Sequence, residues 1–405
     1  MKDNKKDNKK KKRKKWRRPR HRLVRNILAV TLGVYTRIRY NIKVERFKEQ
    51  GKRPYLILFN HQTAFDQFFP GMAFRGPIYY VASEDIFTKG LVSKLIKFLV
   101  APIPIKKQSA DITAVMNCIR VAKEGGTIAL APEGNRTFGG TTGYMNDAIV
   151  PLAKKMGLPI ALFRIEGGYG VHPRWSDRVR RGGMRGYVSR VIEPEEYSAM
   201  TNDELYAAIK DGLYVVEGRG KKAYPSKHSA EYIERALYTC HACGMTELYS
   251  EGRTVTCKKC GRTVTVNDDM TLTGDGLPYG SVGEWYDWQC NYVNSIDPRD
   301  MGTSPLHTGV CRLSEVIPYK KKELIGEGLT LSLYSDRIVA GDLTFDFEST
   351  SVVTVLGRNK LNIYYGGKVY QVKSDKRFSA LRYMNIFYRV KNLLKENGND
   401  KFLGL

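Results

Sequence analysis

The 405-residue chain carries 67 Lys and Arg against 41 Asp and Glu, a formal charge of +26, with 42% apolar residues. That apolar share excludes a chain disordered throughout, and the length allows two or three domains. Seven cysteines are present, four of them in two Cys-x-x-Cys pairs, a usage that fits a metal site in a reducing compartment better than a disulfide framework.

Residues 1–20 hold 13 Lys or Arg, opposed only by Asp3 and Asp7. A like-charge block repels itself and cannot be buried, so a disordered polybasic tail is expected. Its fitting partner is a membrane surface with anionic lipids, where each basic residue is worth about 1 kcal/mol. Nucleic acid is the less favoured partner, and a purely solubilising tail is the plain alternative. Within residues 21–50, an apolar run at 27–35 is interrupted by Thr31 and Gly33 and flanked by Arg22, Arg25, Arg37 and Arg39. Nine helical residues reach about 14 Å, half of the roughly 30 Å of a hydrocarbon core. The segment cannot span. It reads as an amphipathic helix lying in the membrane interface, or as an ordinary core helix.

Residues 51–220 alternate strand-like and helix-like stretches. Residues 55–59, 77–82, 127–132 and 159–165 are short apolar runs suited to buried strands. Residues 111–124 repeat apolar positions at helical spacing and stop at Gly125-Gly126, and Thr201-x-x-Glu204 is a capping box. This order predicts an α/β domain, a mostly parallel sheet flanked by helices. A cysteine module follows at 238–267, then an irregular linker at 268–320. Residues 321–397 read as a small β-rich domain with a C-terminal helix.

The chemistry-bearing stretch is Phe59-Asn60-His61-Gln62-Thr63-Ala64-Phe65-Asp66. On a regular helix His61 and Asp66 would diverge by about 140°; they meet only where a strand turns into a helix. There the carboxylate can hold one imidazole nitrogen and leave the other free to take a proton from a hydroxyl. Ala131-Pro132-Glu133-Gly134-Asn135-Arg136-Thr137 follows a later strand, and Arg136 can fork onto a phosphate in a way Lys cannot. Ile103-Pro104-Ile105 ends in Lys106 and Lys107, two cations suited to an anionic headgroup.

In order and spacing, His61-x4-Asp66, Ile103-Pro104-Ile105-Lys106-Lys107, Pro132-Glu133-Gly134-Asn135-Arg136 and Leu158-Pro159-Ile160 resemble the four blocks of the glycerolipid acyltransferase family. Its best-known members are 1-acylglycerol-3-phosphate acyltransferases. The resemblance implies that His61 is a general base oriented by Asp66, and that Glu133, Gly134 and Arg136 bind the acceptor phosphate and shape the site. Lys106 and Lys107 stand where the family's second block usually ends in Arg, and Asn135 where it prefers Thr. Implied, too, are an acyl-CoA or acyl-carrier-protein donor, a lysophospholipid acceptor such as lysophosphatidic acid, and a place on the cytoplasmic face of the cell membrane. Glycerol 3-phosphate is an alternative acceptor. A non-enzymatic zinc-ribbon protein binding membrane or nucleic acid is the alternative of another class.

Cys240-x-x-Cys243-Gly and Cys257-x-x-Cys260-Gly present four thiolates, the closed ligand set of a structural zinc ribbon; iron takes the same ligands. The C-terminal strands and final helix weakly resemble a pleckstrin-homology-like domain.

Overall fold

Pro19, its φ already suited to a first helical turn, opens helix α1 (Pro19–Tyr40), which stops at Asn41 in left-handed backbone. The computed structural model describes residues 15–83, 86–87, 90–105, 111–317 and 322–394; Lys106, Lys107 and the first 14 residues of the basic tail lie outside them. After α1 come β1 (Ile42–Val44), β2 (Leu56–Phe59), α2 (Phe68–Ala73), β3 (Ile78–Ser83), α3 (Leu91–Val100) and β4 (Ile103–Ile105). Then follow α4 (Ile112–Lys123), β5 (Thr127–Leu130), α5 (Ile149–Met156), β6 (Ile160–Glu166), α6 (Gly168–Val171), β7 (Met184–Ile192), α7 (Pro194–Ala199) and α8 (Asn202–Leu213). Thr201 and Glu204 do form the reciprocal capping box that starts α8.

The seven strands make one sheet in the order β1-β7-β6-β2-β5-β3-β4. From β6 to β4 all neighbours are parallel, β7 is antiparallel to β6, and β1 is parallel to β7. This is the mostly parallel, helix-flanked sheet expected from the alternating pattern. Both faces are covered, which explains why β2 is a continuous apolar run. The pleat sends Leu56 and Leu58 into a core with Cys118, Val121, Ile149, Ala153, Leu205 and Ile209 from α4, α5 and α8. Ile57 and Phe59 face the other way, into a core with Tyr40, Phe69, Ala73 and Phe74 from α1 and α2.

α1 is two-faced. His21, Thr36 and Tyr40 are buried, while Leu23, Ile27, Val30, Val34 and Ile38 line an exposed stripe at helical spacing. α3 lies beside it: Arg20 stacks on Phe98 and donates to its carbonyl at 3.0 Å, and Leu91, Val92 and Leu95 are also exposed. Among the described residues no helix is long and apolar enough to cross a membrane.

The second half begins with short strands around the cysteines: β8 (Thr239–Cys240), β9 (Gly244–Met245), β10 (Leu248–Glu251), β11 (Thr254–Cys257), β12 (Thr263–Val266) and β13 (Leu272–Thr273). Residues 268–320, expected to be irregular, instead contain helix α9 (Val282–Ser295) and strand β14 (His307–Glu315). α9 buries Val282, Trp285, Gln289 and Val293 on one face, and Ser281 caps it by accepting from the Glu284 N–H at 3.3 Å. β14 joins β15 (Glu323–Leu333), β16 (Arg337–Ala340), β17 (Leu343–Asp346), β18 (Val352–Leu356), β19 (Lys360–Tyr365) and β20 (Lys368–Lys373). Together they form an antiparallel sheet in the order β17-β16-β15-β14-β20-β19-β18, with α10 (Ala380–Leu394) packed on it.

The cysteine module is welded to its neighbours rather than set apart. Trp285 Nε1 donates to the Thr239 carbonyl at 3.1 Å, and Gln289 accepts from the Tyr238 N–H at 2.7 Å and donates to the Ala236 carbonyl at 2.9 Å. From α10, Asn385 donates to the Tyr238 hydroxyl at 2.7 Å. One hydrophobic core runs from Phe138 and Trp175 of the first half through Val255 and Trp285 to Leu361 and Phe387.

Candidate active site

Three adjacent parallel strands, β5, β2 and β6, deliver their carboxyl ends to one place, where ligands of open α/β sheets characteristically bind. β2 releases the chain at Asn60, whose amide continues the sheet: it donates to the Ile165 carbonyl at 2.8 Å and accepts from the Ile165 N–H at 2.7 Å. His61 follows, and the chain turns before α2. Within that turn His61 Nδ1 lies 2.6 Å from Asp66 Oδ2.

Asp66 is fully buried, and four donors hold its carboxylate. Besides the imidazole, it accepts from Gln62 N at 2.6 Å, from Thr63 N at 2.9 Å and from the Thr63 hydroxyl at 2.7 Å. An ionised carboxylate only accepts, so Nδ1 carries the hydrogen and Nε2 is left as the basic nitrogen. The His61 side chain is 25% exposed, open enough to meet a substrate. An imidazole held this way can take a proton from a hydroxyl.

Glu133, at the end of the β5 loop, lies against the same turn. Its two oxygens accept from the His61 N–H at 2.6 Å and the Gly143 N–H at 2.7 Å. Burial pushes its carboxyl up to about 8, against the pull of those two N–H groups. A buried carboxyl clamped by two main-chain donors fixes the backbone of His61; it is not disposed to meet a phosphate. Of the role the family resemblance implied for it, this serves the shaping of the site, with both oxygens engaged by main-chain N–H groups. Gly134 turns the loop at φ 65°, left-handed backbone that suits glycine. Asn135 and Arg136 are half-buried beside it, and the next residue, Thr137, donates its N–H to the His61 carbonyl at 3.0 Å. Burial lowers the Arg136 guanidinium to about 10 while the Asp66 carboxylate holds it up, so it stays cationic at neutral pH.

Several residues here carried no role in the sequence reading. Gln62 accepts from the Gly168 N–H at 2.9 Å, tying the turn to the end of β6, and a Cβ on Gly168 would sit 2.5 Å from that Gln62 oxygen. His172, just after α6, stacks its ring on Phe65 with centroids 5.8 Å apart. Tyr40, the last residue of α1, also packs on Phe65, with ring centroids 4.3 Å apart. Asn60 and Gln62 stood inside the quoted motif, but their partners lie over 100 residues away, where no local pattern shows them.

The four module cysteines converge. Their sulfurs all lie within 4.8 Å of one another, with Cys240–Cys260 at 3.8 Å and Cys243–Cys257 at 4.0 Å. Four thiolates around an ion at the usual zinc–sulfur length stand about 3.8 Å apart, so the donor set fits a metal ion. Although burial pushes the Cys257 thiol up, the N–H groups of Cys260 and Lys259 bring it down to about 7. Gly244 takes φ 70°, and any Cβ there would meet the Tyr292 hydroxyl at 2.3 Å. His241 is half-buried and edge-on to Tyr279. Cys290 is half-buried on α9, and Cys118 and Cys311 are buried in the cores.

Residues 38–165 match the model of the acyltransferase family. A solved structure, the 1-acyl-sn-glycerophosphate (LPA) acyltransferase PlsC from Thermotoga maritima, is similar at 20% identity and a TM-score of 0.41, covering 48% of this chain and 78% of that one. No curated protein matches the chain. The family match takes in His61, Asp66, Glu133 and Arg136 and ends before the cysteine module and the C-terminal sheet. The stretch that matches the acyltransferase model, residues 38–165, is the one that places the His61–Asp66 turn at the carboxyl end of β2.

Proposed function

We propose that the chain transfers a fatty acyl group from an acyl-CoA or acyl-carrier-protein thioester to the hydroxyl of lysophosphatidic acid or a related lysolipid, working at a membrane surface. The observation that carries this reading is the 2.6 Å contact between His61 and Asp66, beside the half-buried cation of Arg136. His61 Nε2 takes the acceptor's hydroxyl proton as its oxygen attacks the thioester carbonyl. The tetrahedral intermediate then collapses, the C–S bond breaks, and the proton passes to the leaving thiolate. Acyl group and proton balance without a protein nucleophile. Arg136 meets the acceptor phosphate, and Lys106 and Lys107 add positive charge to the headgroup site.

Two further assignments accompany the reaction. The four-cysteine site holds structural zinc, a closed set that cross-links strands and performs no hydrolysis. The exposed apolar stripe of α1 and the apolar side chains of α3 enter the headgroup boundary, and the basic tail meets anionic lipid.

The deciding experiment measures thiol release from acyl-CoA with a panel of lysolipids. His61→Ala should lower kcat by about 10²–10⁴-fold with an unchanged melting temperature. A wild-type protein that releases no thiol with any acceptor, yet retards DNA on a gel, would favour the non-enzymatic binding protein instead.

A further inference from the structure

The β18–β19 hairpin of the C-terminal sheet packs against Arg136, Arg174 and His172, the residues that flank the His61–Asp66 turn. Arg174, only 3% exposed, fixes it there. Its guanidinium donates to the Val355 and Gly357 carbonyls at 2.7 and 3.0 Å, and to the Arg136 carbonyl at 2.7 Å. Arg136 itself donates to the Gly357 carbonyl at 3.0 Å. The next hairpin residue, Arg358, extends one N–H to His172 Nε2 at 3.3 Å and pairs with Asp177 at 3.3 Å. His172 in turn stacks on Phe65, inside the His61–Asp66 turn.

Donors outnumber acceptors in this cluster. A guanidinium only donates, so Nε2 of His172 accepts and its Nδ1 carries the proton; that nitrogen is buried without a partner among the described residues. Burial and the charges of Arg358, Arg136 and Arg39 push the His172 imidazole down to about 4, keeping it neutral at pH 7. The two carboxylates that bear on the cluster are already engaged, Asp66 by four donors and Asp177 by Arg235 at 2.8 Å. The side chain of Arg358 remains 39% exposed. A site of converging, partly accessible guanidiniums with no free carboxylate suits a phosphate monoester.

We propose that Arg358, delivered by the C-terminal sheet, binds the phosphate of the acyl acceptor together with Arg136, so that the acceptor site of the acyltransferase domain is completed from outside that domain. The proposal rests on the acyl-transfer reading above.

Its test uses the full-length protein and compares kcat/KM for two acceptors, lysophosphatidic acid and monoacylglycerol, which lacks the phosphate. In Arg358→Ala the ratio of the two should fall at least about tenfold, the worth of one charge-assisted contact, through the KM for the phosphate-bearing acceptor. Arg358→Lys should recover part of the loss. Glycerol 3-phosphate, assayed in parallel, separates a lipid headgroup from a free phosphate ester: the same drop with both confirms that the phosphate is what Arg358 reads. An unchanged ratio in Arg358→Ala overturns the proposal, as does a rise confined to the KM for acyl-CoA. Complete inactivity of the wild type with every acceptor would instead remove the acyl-transfer reading, and the proposal with it.

Discussion

Glu133 sits in the block expected to touch the acceptor, yet its carboxyl holds the main chain of His61 and Gly143. Removing it strands two buried N–H donors, each at a cost of about 1–3 kcal/mol, and frees the backbone that aims the imidazole. Glu133→Ala should therefore lose stability by urea titration and lose kcat together. Glu133→Gln, which keeps one accepting oxygen, should fall between it and the wild type; a Glu133→Ala variant altered only in acceptor KM would point back to phosphate contact. The His61–Asp66 pairing was legible because both partners lie in one short turn and only a strand-to-helix junction lets them meet. Arg174 and Arg358 were not. Their significance comes from carbonyls and rings that the chain reaches again only after some 180 residues, and isolated arginines carry no periodicity.

Among the elements, α1 shows both what sequence could and could not decide. Its short apolar run excluded a membrane span, but left a core helix and an interfacial helix as alternatives. The exposed positions Leu23, Ile27, Val30, Val34 and Ile38 lie on one face, opposite the one that buries His21, Thr36 and Tyr40, so α1 is not enclosed. Burial of a Val or Ile side chain is worth about 1.5–3 kcal/mol. A Val30→Asp, Ile38→Asp double variant should thus pellet with anionic vesicles at least tenfold more weakly (roughly one such contribution,) while its melting temperature holds. Equal pelleting of the two forms would dissociate the stripe from membranes. α9 was missed for a different reason. Its buried face mixes Trp285 with Gln289, so a search for aliphatic repeats passes over it, although the Ser281-x-x-Glu284 start was there to be read. β14 was missed because exposed residues alternate along most of it, and its pairing with β15 and β20 is what makes it a strand.

For the whole molecule, the sequence suggested beads on a string: enzyme domain, metal knuckle, linker and β-rich domain. The structure shares one core across all of them after Phe138, and Arg235, beside the cysteine module, reaches both Asp177 at 2.8 Å and the Lys376 carbonyl at 2.6 Å. Such continuity predicts that the second half unfolds as one unit. If the four thiolates hold zinc, the ion's binding energy is part of folding energy. Metal analysis should then find about one zinc per chain, and a strong chelator, or Cys257→Ser, should lower the melting temperature of the whole protein and acyl transfer with it. A metal-dependent transition separate from the main one, with activity intact, would show the knuckle to be an independent unit.

The last turn of α1 brings Tyr40 onto the ring of Phe65 at 4.3 Å, so one end of the rod with the greasy outer stripe lies against the His61–Asp66 turn. On the proposed acyl-transfer reading, a lysolipid is acylated with its tail still in the leaflet, never crossing bulk water. Turnover on such a surface would follow the mole fraction of acceptor in the lipid layer, and dilution of the vesicles at fixed composition would leave the rate of bound enzyme unchanged.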